Sequence, residues 1–280
     1  ILTQSEYRDF TRLYRFSSMK QRKFLDLYFK HYEVEVIKKL LRHMLGGREG
    51  QTDLSMFQGF FEKHSELDLE TLCRAKNFSE FTEALEGTVY GKLLSQMQEK
   101  GQTGLFDCEL KLDLFYFQLL WKLRNKLLTK TERKILDDCF GSRLDLLNIQ
   151  WICRARSFYR LSQAEIYALL IPVHYRLRAD KVKLLVEAED DAKFFAVLRE
   201  TPYGKQEELQ TGQMPDIQLL SNQMLNRIYG RTGHRYPHSP AVLDSYLYRK
   251  ELEMRKIVTA LEGIRYGLPA SEIMGLLAKQ

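Results

Sequence analysis

A twelve-residue segment of this chain returns 113 positions later, and no other feature limits the possible folds as much. Phe81-Thr82-Glu83-Ala84-Leu85-Glu86-Gly87-Thr88-Val89-Tyr90-Gly91-Lys92 pairs with Phe194-Phe195-Ala196-Val197-Leu198-Arg199-Glu200-Thr201-Pro202-Tyr203-Gly204-Lys205, with six of twelve positions identical. Leu72 and Ala75 match Leu185 and Ala188 in the same register. Three more segments recur at similar distances: residues 22–26 as 133–137 (offset 111), 10–15 as 117–122 (offset 107) and 159–170 as 266–277 (offset 107). Amphipathic helices resemble one another by chance, so one match would carry little. Four matches within so narrow a spread point to a repeated unit of roughly 110 residues.

The unit is helical. Val36, Ile37, Leu40, Leu41 and Met44 recur at helical spacing, with Lys38, Lys39, Arg42 and His43 on the other face. All six prolines lie at or beyond Pro172, and alternating strand patterns closed by Asn-Gly or Asp-Gly are absent. Each unit is expected to open with an amphipathic helix, Glu33 to Met44 or Asp145 to Arg156. Ser162, with Glu165 three residues on, predicts a capping box before a helix to Leu170. The helix ending at the Leu-x-x-Thr-x-Tyr-Gly element should stop at Gly91 and Gly204, with Tyr90 and Tyr203 packed inside. Leu110 to Leu128 is apolar nearly all round and is expected to be buried between neighbours.

By this spacing 280 residues make about two and a half units. Residues 33–144 form the first repeat and 145–250 the second. Residues 251–280 begin a third, which closes against 1–32, the end of that same unit. The N-terminal part of this third domain is expected to lie upstream of Ile1, where the chain has neither an initiator Met nor a signal peptide.

Composition narrows the function. A 44% hydrophobic content suits a folded chain, while the apolar run from Ile166 to Pro172 falls far short of the roughly 18 residues a membrane span needs. Forty-three Lys and Arg against thirty-seven Asp and Glu leave a net charge of +6, which suits nucleic acid, anionic lipid or an acidic protein. Acids are interspersed nearly everywhere, so a solvated mixed-sign surface is the simpler reading. The densest basic stretch with aromatics, Arg154 to Arg160, is too short for a nucleic-acid groove. Cys73, Cys108, Cys139 and Cys153 lack paired spacing and read as reduced cytosolic thiols, mostly core fillers.

No catalytic or metal-binding motif survives scrutiny. Gly46 to Thr52 has three residues between its outer glycines and then Gln51, where a phosphate loop needs four and a Lys; Gly46 reads better as a helix cap. His234 and His238 are four apart, but Pro237 breaks the helix that such a zinc pair needs, leaving a turn with two exposed histidines. The acids from Glu187 to Asp191 fit a solvated helix face or helix start. No cofactor is expected.

Certain residues nevertheless look familiar. Gly141 to Arg156 (GSRLDLLNIQWICRAR), then Phe158-Tyr159-Arg160-Leu161-Ser162 with Glu165-Ile166, resembles the family of the C subunit of V/A-type ATPases, whose eukaryotic members are called the d subunit. The pattern is an Asp, an Asn three later, an apolar residue, then basic residues before a tyrosine. Pro237-His238-Ser239, the stretch Tyr246 to Ile257, and Gly267-Leu268-Pro269 agree as well. Met254 and Val36 stand where the family favours Asn, and Glu262 where a basic residue is usual. The family's N-terminal segment, with another copy of the Leu-x-x-Thr-x-Tyr element, has no counterpart in the chain.

This resemblance implies three similar helical domains in a pseudo-threefold funnel. It implies a non-catalytic rotor subunit of a proton- or sodium-translocating ATPase, coupling the central-stalk axle to the membrane proteolipid ring. The implied partners are central-stalk subunits and that ring, with one copy per hetero-oligomer, peripheral on the cytoplasmic face of a membrane. Arg154, Arg156 and Arg160 are the candidate partner-binding residues; alternatively they pair with acids of their own unit. A second reading, resting on charge and repeat alone, is a soluble basic helical-repeat scaffold for nucleic acid or acidic proteins. An enzyme ranks third.

Overall fold

Capping and burial divide the chain into fourteen helices among the residues described by the computed structural model, which are 2–46, 54–206, 209 and 216–279. No strand occurs among them, so the fold is all-α as the periodicity predicts. The helices fall into two units, Thr3–Leu127 and Leu128–Gln280.

In the first unit, α1 (Leu2–Phe16) and α2 (Met19–Leu45) meet at Ser18. The Ser18 hydroxyl accepts from the Gln21 amide while the Gln21 side chain accepts from the Ser18 amide, a capping box that starts α2. Gly46 ends it, donating its N–H to the Arg42 carbonyl. The rest of the rejected phosphate-loop candidate, residues 47–52, lies outside the described residues. Then follow α3 (Ser55–His64), α4 (Leu69–Arg74), α5 (Phe78–Ala84), α6 (Gly91–Glu99) and α7 (Leu105–Leu127).

Helix α2 packs along α7. The buried Lys38 bridges them, its Nζ 2.9 Å from Asp113 and 2.9 Å from Glu35. Burial opposes the ammonium, but the two carboxylates outweigh it and hold Lys38 above its ordinary pKa. At the other end Phe10, Phe29, Tyr32, Phe60 and Phe61 interlock, with ring centroids 4.9–6.0 Å apart in the closest pairs. Each such ring removed from water contributes about 2 kcal/mol or more, the main support of a unit built on two long helices.

The second unit opens with α8 (Lys130–Ser157), started by a Thr129–Glu132 capping box. It continues through α9 (Gln163–Leu169), α10 (Ala179–Val186), α11 (Asp191–Arg199), α12 (Ile217–Arg235), α13 (Ala241–Arg265) and α14 (Ala270–Ala278). Helix α8 is the spine against which α9, α10, α12 and α13 pack. Ile149, Ile152, Leu185, Phe194, Leu198 and Tyr229 form its core. The predicted Ser162–Glu165 box is present at the start of α9.

Local expectations are corrected in three places. The helices read as opening at Glu33 and Asp145 are the C-terminal parts of α2 and α8, whose capping boxes lie at Ser18 and Thr129. Positions 32/33, 144/145 and 250/251 of the sequence repeat lie inside α2, α8 and α13. The all-round burial expected of helix α7 is incomplete: Cys108, Leu112, Leu114, Tyr116 and Leu120 are inside, while Phe115, Phe117, Leu119 and Leu123 stay partly exposed. Gly91 and Gly204 do not stop helices. Gly91 opens α6, and a Cβ there would lie 2.3 Å from the Leu85 carbonyl oxygen; at Gly204 the matching contact is 2.4 Å to Leu198. Close approach to the preceding helix end, rather than a left-handed conformation, explains the repeated glycine.

Candidate functional site

The repeated Leu-x-x-Thr-x-Tyr-Gly element builds the same structure twice. Thr88 turns its N–H and its hydroxyl back onto the Leu85 carbonyl (3.0 and 2.7 Å), and Thr201 does so onto Leu198 (3.0 and 2.7 Å). The Tyr90 and Tyr203 amides then donate to those threonine hydroxyls, 3.3 Å in both copies. This turn aims each tyrosine at a carboxylate in the middle of its unit's longest helix. Tyr90 donates its hydroxyl to Glu33 at 2.8 Å, and Tyr203 donates to Asp145 at 2.6 Å.

Both carboxylates are buried, Glu33 at 1% and Asp145 at 0% exposure, and both are saturated with donors. Glu33 also accepts from Ser65 at 2.6 Å and pairs with Lys30. Asp145 accepts the backbone amides of Tyr175, Arg176 and Leu177 at 2.7–3.1 Å. Burial, then the adjacent carboxylate, pushes both tyrosine hydroxyls far above their ordinary range, so they remain protonated donors. For Asp145 burial outweighs the hydrogen bonds and leaves its pKa raised.

Asn148, one helical turn beyond Asp145, completes the anchor. Its amide donates to the Ile171 carbonyl at 3.0 Å and its carbonyl accepts from the Ile171 amide at 2.9 Å. Gly141 lets the Tyr175 ring lie against α8, since a Cβ would meet that ring at 2.4 Å. The Gly141, Asp145 and Asn148 pattern thus straps residues 171–177 onto α8. Every polar atom named here has a partner within its own unit.

The three candidate arginines have different surroundings. Arg156 is held within its unit: it donates to the Ala188 carbonyl at 2.5 Å and the Asp190 carbonyl at 3.2 Å, and its guanidinium lies over Phe194. Arg154 is exposed and donates to Gln218 at 2.6 Å. Arg160 is exposed, in a left-handed conformation (φ 49°) next to exposed Phe158 and Tyr159. His234 lies in the last turn of α12 and His238 follows in the turn beyond it, both exposed, and no group able to hold a metal occurs among the described residues. Asp190 caps α11 through the Lys193 amide, so the acidic run is a helix start. Cys108 and Cys139 are buried fillers, but Cys73 is exposed.

The family profile described as ATP synthase (C/AC39) subunit matches residues 1–276. The chain belongs to this family. It is 26% identical over 258 residues to the C subunit of the A-type ATP synthase of Methanothermobacter thermautotrophicus, covering 89% of this chain and 66% of that protein. To the corresponding A-type ATP synthase protein of Pyrococcus horikoshii it is 30% identical over 196 residues, 68% of this chain and 51% of the relative. A third, from Methanocaldococcus jannaschii, is 23% identical over 274 residues, 95% of this chain and 67% of the relative. The chain thus spans about half to two thirds of the length of these family members.

By the same sequence offsets a third carboxylate, Glu251, falls on α13 as Glu33 falls on α2 and Asp145 on α8. Its carboxylate accepts from Arg143 at 2.7 Å. Past it the surroundings diverge. Leu40 and Ile152 are buried at 3% and 0%, but the corresponding Val258 is 40% exposed. Leu261, Ile264, Met274 and Leu276 extend that apolar face along α13 and α14. Sequence reasoning found the repeated tyrosines but not their carboxylate partners. The signal was there: an acid recurs on each long helix at offsets of 112 and 106.

Proposed function

We propose that the chain is part of a non-catalytic rotor subunit of a V/A-type ion-translocating ATPase, coupling the central-stalk axle to the membrane proteolipid ring. Membership of the ATP synthase (C/AC39) subunit family carries this reading. The physical character of the chain supports it: the motif residues are spent on fixing long helices to their neighbours, as a torque-transmitting body requires and a catalytic site does not. No helix among the described residues is long and apolar enough to cross a membrane, and in this reading docking at the ring is peripheral, on the cytoplasmic side.

In this reading three helical units form a pseudo-threefold funnel, one copy per complex. The exposed apolar face of α13 and α14 is where the remaining helices of the third unit pack, by analogy with the covered face of α8. Exposed Arg154 and Arg160 are the better-placed partner contacts, whereas Arg156 serves its own unit. The test is deletion of the gene followed by ATP-driven ion pumping in membrane vesicles. Lost pumping, restored by the intact gene, supports coupling; pumping at the undeleted level overturns it.

A further inference from the structure

A cavity of about 850 Å³ in the first unit, between α1, the start of α2 and α3, has a one-sided charge. Arg8 and Arg15 of α1, Arg22 of α2 and Lys63 of α3 line it, and no Asp or Glu is among its lining residues. Four cations face the hollow, and against them the Asp26 carboxylate adjoins its aromatic wall, hydrogen-bonded to the Tyr14 hydroxyl and close to His64. No ion pair between described residues engages any of the four. Arg22 is fixed in place: its Nε donates to the Tyr14 carbonyl at 3.1 Å and a terminal nitrogen to the Arg15 carbonyl at 3.1 Å, closing the last turn of α1.

One wall is aromatic. Tyr14, Phe60 and His64 meet with ring centroids 4.2–5.0 Å apart. Burial, more than its neighbours Arg22 and Lys63, draws the His64 imidazole below its ordinary pKa, while Asp26 opposes this. The hollow is far larger than one phosphate group, and its two kinds of wall suit two parts of a ligand. Guanidinium forks and an ammonium match the oxygens of a phosphate, and a dianion gains more from four cations than a carboxylate does. The ring wall suits the organic part of an ester.

We propose that this cavity is a binding site for a phosphate ester, the phosphate held by Arg8, Arg15, Arg22 and Lys63 and the organic part resting on Tyr14 and Phe60. The site does not depend on the rotor reading. Its ligand is either a soluble phosphate ester or a phospholipid headgroup, which share this chemistry.

The test uses the full chain and three probes: phenyl phosphate, and phosphatidylcholine vesicles with and without phosphatidylglycerol. Two variants report on the cavity. Arg8→Gln/Arg15→Gln/Lys63→Gln removes three charges and leaves Arg22 in place. Gly59→Phe fills the hollow without altering charge, at a helical position whose Cβ would meet nothing within 4 Å. Saturable calorimetric binding of phenyl phosphate that weakens at least tenfold in both variants, and falls with added salt, supports a soluble ester. Binding only to the anionic vesicles, lost in both variants, supports a headgroup. Binding to neither probe at low salt overturns the proposal, as does binding that Gly59→Phe leaves intact.

Discussion

Asp145 carries the sharpest energetic prediction. Its carboxylate is fully buried and accepts from three backbone amides and the Tyr203 hydroxyl. Asp145→Ala leaves all four donors without an acceptor, and each unsatisfied buried group costs about 1–3 kcal/mol. Part of that is returned, because burial works against the carboxylate itself. The net expectation is a loss of about 4 kcal/mol, at the upper edge of single-substitution effects. Tyr203→Phe removes only one donor to a charged acceptor and should cost about 1.5–2 kcal/mol. The double variant should be more stable than the sum predicts by about 1 kcal/mol or more, because the second change removes a hydroxyl the first has already stranded. Urea unfolding reads this cleanly. The chain has two tryptophans, Trp121 in the first unit and Trp151 in the second, so a Trp121→Phe background reports on the second unit alone. A loss below about 1 kcal/mol for Asp145→Ala, or strict additivity with Tyr203→Phe, would refute the carboxylate as the anchor of residues 175–177.

Asp244, buried in α13 with one carboxylate oxygen lacking a hydrogen-bond partner, is pushed up to about 7 by burial; Glu251 adds to the shift and Arg143 opposes it. The folded chain therefore holds this proton more tightly than the unfolded chain. Stability should fall as pH rises from the ordinary carboxylate range through about 7, by up to about 4 kcal/mol, and Asp244→Asn should flatten urea midpoints over that window. Gly204→Ala drives a Cβ to 2.3–2.4 Å from the backbone of α11 and should cost more than about 2 kcal/mol in urea unfolding. Gly59→Ala, helical and open, should gain about 0.5–1 kcal/mol in thermal unfolding, a contrast that separates close packing from propensity.

Much of this architecture was legible as periodicity and repetition. The 3.6-residue pattern located the long helices, and the capping box at Ser162 and Glu165 is local chemistry that survives in the fold. The starts of α2 and α8 were missed because Ser18 and Gln21, like Thr129 and Glu132, are modest signals inside polar stretches. The Leu-x-x-Thr-x-Tyr-Gly element was found through identity, but its purpose needed the third dimension. Nothing local links Tyr90 to Glu33, 57 residues away, or Tyr203 to Asp145, 58 away. The basic cavity was illegible for the same reason. Arg8, Arg15, Arg22 and Lys63 are scattered among acids in the sequence and converge only when α1 and α3 flank the start of α2. Arg156 looked like a surface cation because sequence shows its charge but not the Ala188 carbonyl that satisfies it.

The most direct test of the functional account is affinity purification of the tagged protein from detergent-solubilised native membranes, with the co-eluting proteins identified. The rotor reading predicts central-stalk subunits and the proteolipid at fixed stoichiometry, with one copy of this protein per complex. Elution of the protein free of both, from membranes whose ATPase is otherwise intact, would contradict it.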